Sequence, residues 1–237
     1  MNKKGFTLIE LITSVVLISL IIIPAFTIIL NYKNKYQIAS DKKELVKFQY
    51  LVTSRIEQDI LQYGLSYLFW GEIYETEIEE KMSISGGFDP NSFLNASADT
   101  RDEARKGKKY TFTLLFSKDG SKRMTNSSYR VMTRYIEVDT VNKKITYYSL
   151  NYEDKQKREN EYVYELPVQY AEILDYNDVA NSFYRTYIDY DLQELDSIDN
   201  NTPYLSIFIP IKYVDDTNSD EMLDYGIHIT AERIVDW

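Results

Sequence analysis

Residues 6–30 read FTLIELITSVVLISLIIIPAFTIIL, a run that is apolar apart from Thr, Ser, one proline (Pro24) and one carboxylate (Glu10). At about 1.5 Å per helical residue such a run crosses a hydrocarbon core about 30 Å thick, so it reads as a membrane-spanning helix. Only Met-Asn-Lys-Lys-Gly precedes it, and Lys3 and Lys4 predict an N-terminus held on the cytoplasmic side with the remainder translocated, a single-pass N-in and C-out arrangement. A cleaved secretory signal is a poor fit, because its apolar stretch commonly runs about 7 to 15 residues and ends at a small-residue site of the A-x-A kind. A plain anchor leaves Glu10 unexplained. A carboxylate inside the apolar run costs about 2.5 to 3.5 kcal/mol on insertion scales, so it calls for a partner.

After Leu30 the chain turns polar but keeps a helical rhythm: Ile38, Leu45, Phe48, Val52, Ile56, Ile60 and Tyr63 recur on one face with charges between them. Gly64 is a plausible stop, so one helix is expected from Phe6 to about Tyr63, its first half in the membrane and its second half (31–63) packed on a head formed by 64–237. The stretch 64–107 mixes aromatic, acidic and Gly/Asn/Ser-rich segments and reads as a variable loop with a short helix or strand. Strand-like runs follow at Tyr110–Phe116, Tyr129–Val138 and Lys144–Leu150, with turns at Asp119-Gly120 and Asn142-Lys143, which predicts a three-strand antiparallel meander. Asn151–Asn160 reads as a polar hairpin tip. Two further strands are expected at Tyr204–Val214 and Tyr225–Val235, with Pro210 favouring an edge or a bulge in the first.

Composition limits the chemistry. The 237 residues leave room for one globular domain and an anchor, and a mean hydropathy of −0.39 shows that apolar residues are concentrated in one place. There is no cysteine, which removes disulfides, thiol catalysis and thiolate metal sites. The net charge of −10 opposes general affinity for nucleic acid. The charge is uneven, however: Arg101–Arg134 holds ten Lys and Arg against three acids, whereas Tyr135–Trp237 holds 22 acids against eight bases. Lys106, Lys108, Lys109, Lys122 and Arg123 are therefore candidate polyanion contacts, weighed against a solvated face or a face that meets the acidic half of a neighbouring subunit.

MNKKGFTLIELI resembles the class III signal of type IV prepilins and pseudopilins, with Lys3 and Lys4 as the basic leader. The resemblance implies a leader of residues 1–5, cleavage between Gly5 and Phe6 by a prepilin peptidase, and methylation of the new Phe6 amine. It implies that Glu10 pairs with that amine on a neighbouring subunit, and that Pro24 corresponds to the family's helix-breaking proline, slightly early in the chain. The implied fold is α+β, a pilin-like lollipop with a long N-terminal helix on an antiparallel β-sheet head. The implied partners are other pilin subunits, the peptidase, an assembly platform and the membrane.

On this reading the chain is a minor pilin of a type IV pilus acting in filament initiation or tip display, because major subunits of the family tend to be smaller. A pseudopilin of a type II secretion or DNA-uptake system and a pilus-tethered adhesin are the alternatives. Its destination is the extracellular pilus, or a periplasmic or cell-wall pseudopilus. No enzyme activity and no cofactor are expected. His228, the sole histidine, has no companion catalytic motif and reads as a sheet residue with a local hydrogen bond. Asp215, Asp216, Asp220 and Asp224 lie where some pseudopilins bind calcium, but their spacing lacks an EF-hand pattern and favours a solvated loop.

Overall fold

The computed structural model describes residues 7–85, 108–117, 131–174, 185–188, 194–195, 204–213 and 226–232. A single helix α1 (Leu8–Tyr63) is followed by β1 (Leu65–Trp70), α2 (Glu75–Ser85), β2 (Lys109–Ser117), β3 (Val131–Asp139), β4 (Lys144–Leu150) and β5 (Arg158–Glu165). Six short strands complete the described elements: β6 (Ala171–Ile173), β7 (Arg185–Ile188), β8 (Glu194–Leu195), β9 (Tyr204–Ile209), β10 (Ile211–Tyr213) and β11 (Ile227–Glu232). The fold is α+β. By its contacts the chain divides into two units, Met1–Glu44 and Leu45–Trp237.

In the first unit α1 is helical through Pro24, which the sequence marked as a helix breaker. Every residue from Thr7 to Leu30 is exposed. The few hydroxyls in this run satisfy themselves locally: Thr13 Oγ1 donates to the Ile9 carbonyl (2.9 Å), Ser19 Oγ to Val15 (2.7 Å) and Thr27 Oγ1 to Ile23 (3.0 Å). This back-bonding lets a hydroxyl enter hydrocarbon without an orphaned donor.

In the second unit the helix ends as its residues dictate. Gly64 takes a φ of 71°, and its N–H donates to the Ile60 carbonyl at 2.8 Å, a left-handed cap that only glycine adopts without strain. The chain then enters a five-stranded antiparallel sheet in the order β1-β2-β3-β4-β5. The expected three-strand meander is thus its centre, extended by one strand on each side. β1 and α2 lie in the stretch read as a variable loop with a short helix or strand, and β5 takes in Arg158–Asn160 from the expected hairpin tip. The Asn142-Lys143 turn is present, with Lys143 at a φ of 52° and Asn142 held by Asp139 at 2.8 Å. The Asp119-Gly120 turn lies outside the described residues.

Alternation along the strands assigns the two faces. Ile136 and Val138 of β3, Ile145 and Tyr147 of β4, and Phe112, Leu114 and Phe116 of β2 share one face through the observed register, and all are buried. The helical stripe Leu45, Phe48, Val52 and Ile56 is buried as well, each residue at 4% exposure or less. Asp59 falls on the same stripe, one turn further on, and is only 2% exposed. Its carboxylate meets Arg55 (3.3 Å) and Arg134 (3.2 Å) and accepts from the Tyr147 hydroxyl (2.8 Å). Burial, together with the adjacent Asp59 carboxylate, pushes the Tyr147 phenol up from its ordinary value. On the other face Tyr135, Glu137 and Tyr148 are buried. The segment before α2 and its first turn bind here. Tyr148 donates to Glu72 (2.9 Å), Tyr135 to the Ile73 carbonyl (2.9 Å), and the Thr133 N–H, beyond the end of the β3–β4 pairing, to Glu75 (2.7 Å).

The remaining described strands form a β10-β6 pair and a four-stranded sheet ordered β11-β9-β7-β8. Pro210 has no N–H, and it falls where the expected strand 204–214 divides, β9 pairing with β11 and β7 and β10 with β6. The Gln49 side chain donates to the Gly226 carbonyl at 2.9 Å, which ties the helix to the start of β11.

Candidate functional site: the N-terminal signal and its helix

Gly5 and Phe6 lie outside the described residues, which begin at Thr7. Thr7 stands just before the first helical residue. Its backbone N–H and its hydroxyl both donate to Glu10 Oε2 at 2.9 Å, and the Glu10 N–H donates back to Thr7 Oγ1 at 3.3 Å. This is a reciprocal capping box: Thr-x-x-Glu satisfies two of the four donors that a helix start leaves open. The motif is written in the sequence as Thr7-Leu8-Ile9-Glu10 and was not singled out there. Its consequence is that within one subunit the carboxylate already has donors, before any amine from a neighbour arrives.

Beyond Glu10 the helix supplies the length and composition of a membrane span, the one such helix among the described residues. The first exposed polar groups after it are Asn31, Tyr32, Lys33, Asn34, Lys35 and Tyr36. Lys42, Lys43 and Lys47 follow on the same helix. These cations sit outside the basic stretch that the sequence had emphasised.

That basic stretch is only partly described. Lys106, Lys122 and Arg123 lie outside the described residues, while Lys108 is exposed. Lys109 is paired with Glu137 at 3.0 Å, and Arg158 also binds Glu137, at 2.6 Å, while lying 4.0 Å over the Tyr148 ring. Burial would raise the Glu137 carboxyl, but the hydrogen bonds from Arg158 and Lys109 outweigh it and hold the group below its ordinary value. Arg134, counted in the same stretch, is spent on Asp59 in the interior. Of the three cations of this stretch among the described residues, Lys108, Lys109 and Arg134, two are thus held in intramolecular pairs.

His228 lies on the exposed side of β11, with Nε2 at 2.9 Å from Ser206 Oγ and 3.2 Å from Thr230 Oγ1. Each hydroxyl can donate or accept according to the ring's tautomer, and among the described residues no carboxylate is bonded to the ring in the manner of a catalytic triad. Among the described residues no cluster of three His, Asp or Glu could hold a metal ion. Asp215, Asp216, Asp220 and Asp224 are outside them.

No curated protein and no solved structure matches the chain. A family model does match at the N-terminus: that of the prokaryotic N-terminal methylation motif, a signal of structural pilin-type proteins and not of an enzyme family. The match covers residues 1–26, spanning Gly5, Phe6, Glu10 and Pro24, and with it the chain carries a type IV prepilin or pseudopilin family signal.

Proposed function

We propose that the chain is a minor pilin of a type IV pilus, cut after Gly5, methylated on Phe6 and built into the filament through α1, with a role in initiation or tip display. The observation that carries this reading is the methylation motif at residues 1–26, continuous with an exposed apolar helix long enough to span a membrane. The size of the head supports a minor subunit, since a bulky head is awkward in a dense helical array and easy to place at low copy. Insertion is N-in and C-out. Lysines on the head side of the span outnumber Lys3 and Lys4 on the leader side, so this orientation rests on the prepilin signal and on the length of the head. Long segments translocate largely regardless of charge.

In the filament Glu10 exchanges its Thr7 donors for the Phe6 amine of an adjoining subunit. The test is the amount of this protein in sheared filaments relative to membranes, for wild type and for Glu10→Val. Removing one side of a buried pair typically costs about 3 to 5 kcal/mol, so incorporation falls by roughly a hundredfold or more while membrane insertion persists. An unchanged ratio would refute an internal position in the filament. Absence of the wild-type protein from filaments would refute the pilus reading.

A further inference from the structure

The apolar run ends at Leu30, and the next residues, Asn31, Tyr32, Lys33, Asn34, Lys35 and Tyr36, are all helical and all exposed. Tyr32 and Tyr36 are 74% and 71% exposed and lie one helical turn apart on one side of α1. Lys33 and Lys35 flank that side to left and right. At about 1.5 Å per residue, Tyr32 to Tyr36 stands roughly 3 to 9 Å beyond Leu30. That is the depth of the headgroup layer, about 5 to 8 Å on each side of the hydrocarbon. Amphipathic tyrosines favour this layer, and lysine ammoniums within it meet lipid phosphates. Lys42 and Lys43 begin about 18 Å beyond Leu30, clear of the headgroups.

We propose that Tyr32, Lys33, Lys35 and Tyr36 form a collar that binds the phosphates of anionic phospholipids in the leaflet on the head's side, and that this contact sets the depth of the unassembled subunit. The proposal rests on reading α1 as membrane-spanning and holds for either orientation of the span. Charge complementarity and continuity with the apolar run both favour a lipid occupant over a protein one. The depth has a consequence at the other end of the helix. Leu30 and Glu10 are twenty residues apart, about 30 Å along α1, so a collar fixed at one interface places Glu10 at the opposite hydrocarbon boundary and not within the core. There the carboxylate and its Thr7 donors reach headgroups and water. The waiting subunit thereby escapes most of the burial cost that a deeper carboxylate would incur.

The chain has no cysteine, so single labels can be placed cleanly. A fluorophore at Asn34→Cys in the full chain, reconstituted into mixed vesicles, is quenched by headgroup-nitroxide lipid, either phosphatidylglycerol or phosphatidylcholine. Wild type should favour phosphatidylglycerol by about fivefold for each lysine at low salt, with the preference shrinking as salt rises. Lys33→Gln with Lys35→Gln should abolish the preference, whereas Lys42→Gln with Lys43→Gln should keep most of it. Equal quenching by the two lipids in wild type, or loss of preference only in the Lys42 and Lys43 variant, would overturn the collar. A label at Ile21→Cys separates the parent reading: if acyl-chain nitroxides leave it unquenched, α1 does not span the bilayer and that reading fails on its own account.

Discussion

Replacing Asp59 by Ala tests how the helix is held to the sheet. The wild-type carboxylate is 2% exposed, forms an ion pair with Arg55, and accepts from Arg134 and Tyr147. Its loss strands the Arg134 guanidinium, whose side chain is 14% exposed, and leaves the buried Tyr147 hydroxyl without its acceptor. Breaking a buried pair from one side costs about 3 to 5 kcal/mol. The orphaned hydroxyl overlaps with that figure and does not add to it in full, because water entering the gap serves both groups. The assay is urea unfolding, followed by circular dichroism, of the chain from Asn31 onward, a piece expected to fold without its apolar half. With an m-value of about 2 to 3 kcal/mol/M the midpoint should fall by more than about 1 M. Asp59→Leu with Arg134→Met removes both charges and should recover most of the loss, since apolar replacement of a buried pair is often neutral. A fall below about 1 kcal/mol for Asp59→Ala, or a double variant as unstable as the single one, would refute the account.

Gly226→Ala should destabilise by about 1 to 3 kcal/mol in the same assay, because its Cβ would strike the Phe208 ring and come within 3.1 Å of the Ile209 carbonyl. Acid titration should show a contribution from Glu137: its folded pKa is lowered, so its stabilisation is present above the unfolded value near 4.5 and is lost as pH falls through the folded one. Glu137→Gln should therefore lower stability at neutral pH while removing part of the loss below about pH 4.5. N-terminal mass analysis of membranes should find a chain beginning at a methylated Phe6; a chain still starting at Met1, or cut beyond Pro24, would contradict the proposed processing.

Sequence reading succeeded where a period was present. The α1 stripe repeats every three to four residues, and β2 to β4 carry aromatic and β-branched residues between turns, so their positions were legible to within about two residues. β1, LSYLFW, has no alternation because both of its faces are buried, and it follows the helix cap directly. β5, RENEYVYE, is an edge strand whose side chains are largely solvated, so only Tyr162, Val163 and Tyr164 hint at it. Pairing across long separations left no local trace: Asp59 finds Arg134 and Tyr147, 75 and 88 positions away, and Arg134 in isolation looked like part of a basic surface. The Thr7 and Glu10 cap differs, because Thr-x-x-Glu at a helix start is a local signal that was open to reading.

The same contrast explains why a charged cluster belongs on an otherwise apolar helix face. Leu45, Phe48, Val52 and Ile56 form a stripe that nearly repeats itself: a slide of one turn, about 6 Å, would offer Val52, Ile56 and Ile60 in place of Phe48, Val52 and Ile56. Apolar contact discriminates weakly between the two registers, because oil meets oil in both. Asp59 discriminates strongly. Displaced by one turn it would leave Arg134 and Tyr147, and Tyr63 would stand opposite the guanidinium. Gln49 would likewise lose the Gly226 carbonyl that it reaches at 2.9 Å. A buried polar group thus acts where hydrophobic burial cannot, by making the wrong register costly and not by making the right one much more stable. The double replacement of Asp59 and Arg134 should therefore retain stability and yet lose the strict register between helix and sheet.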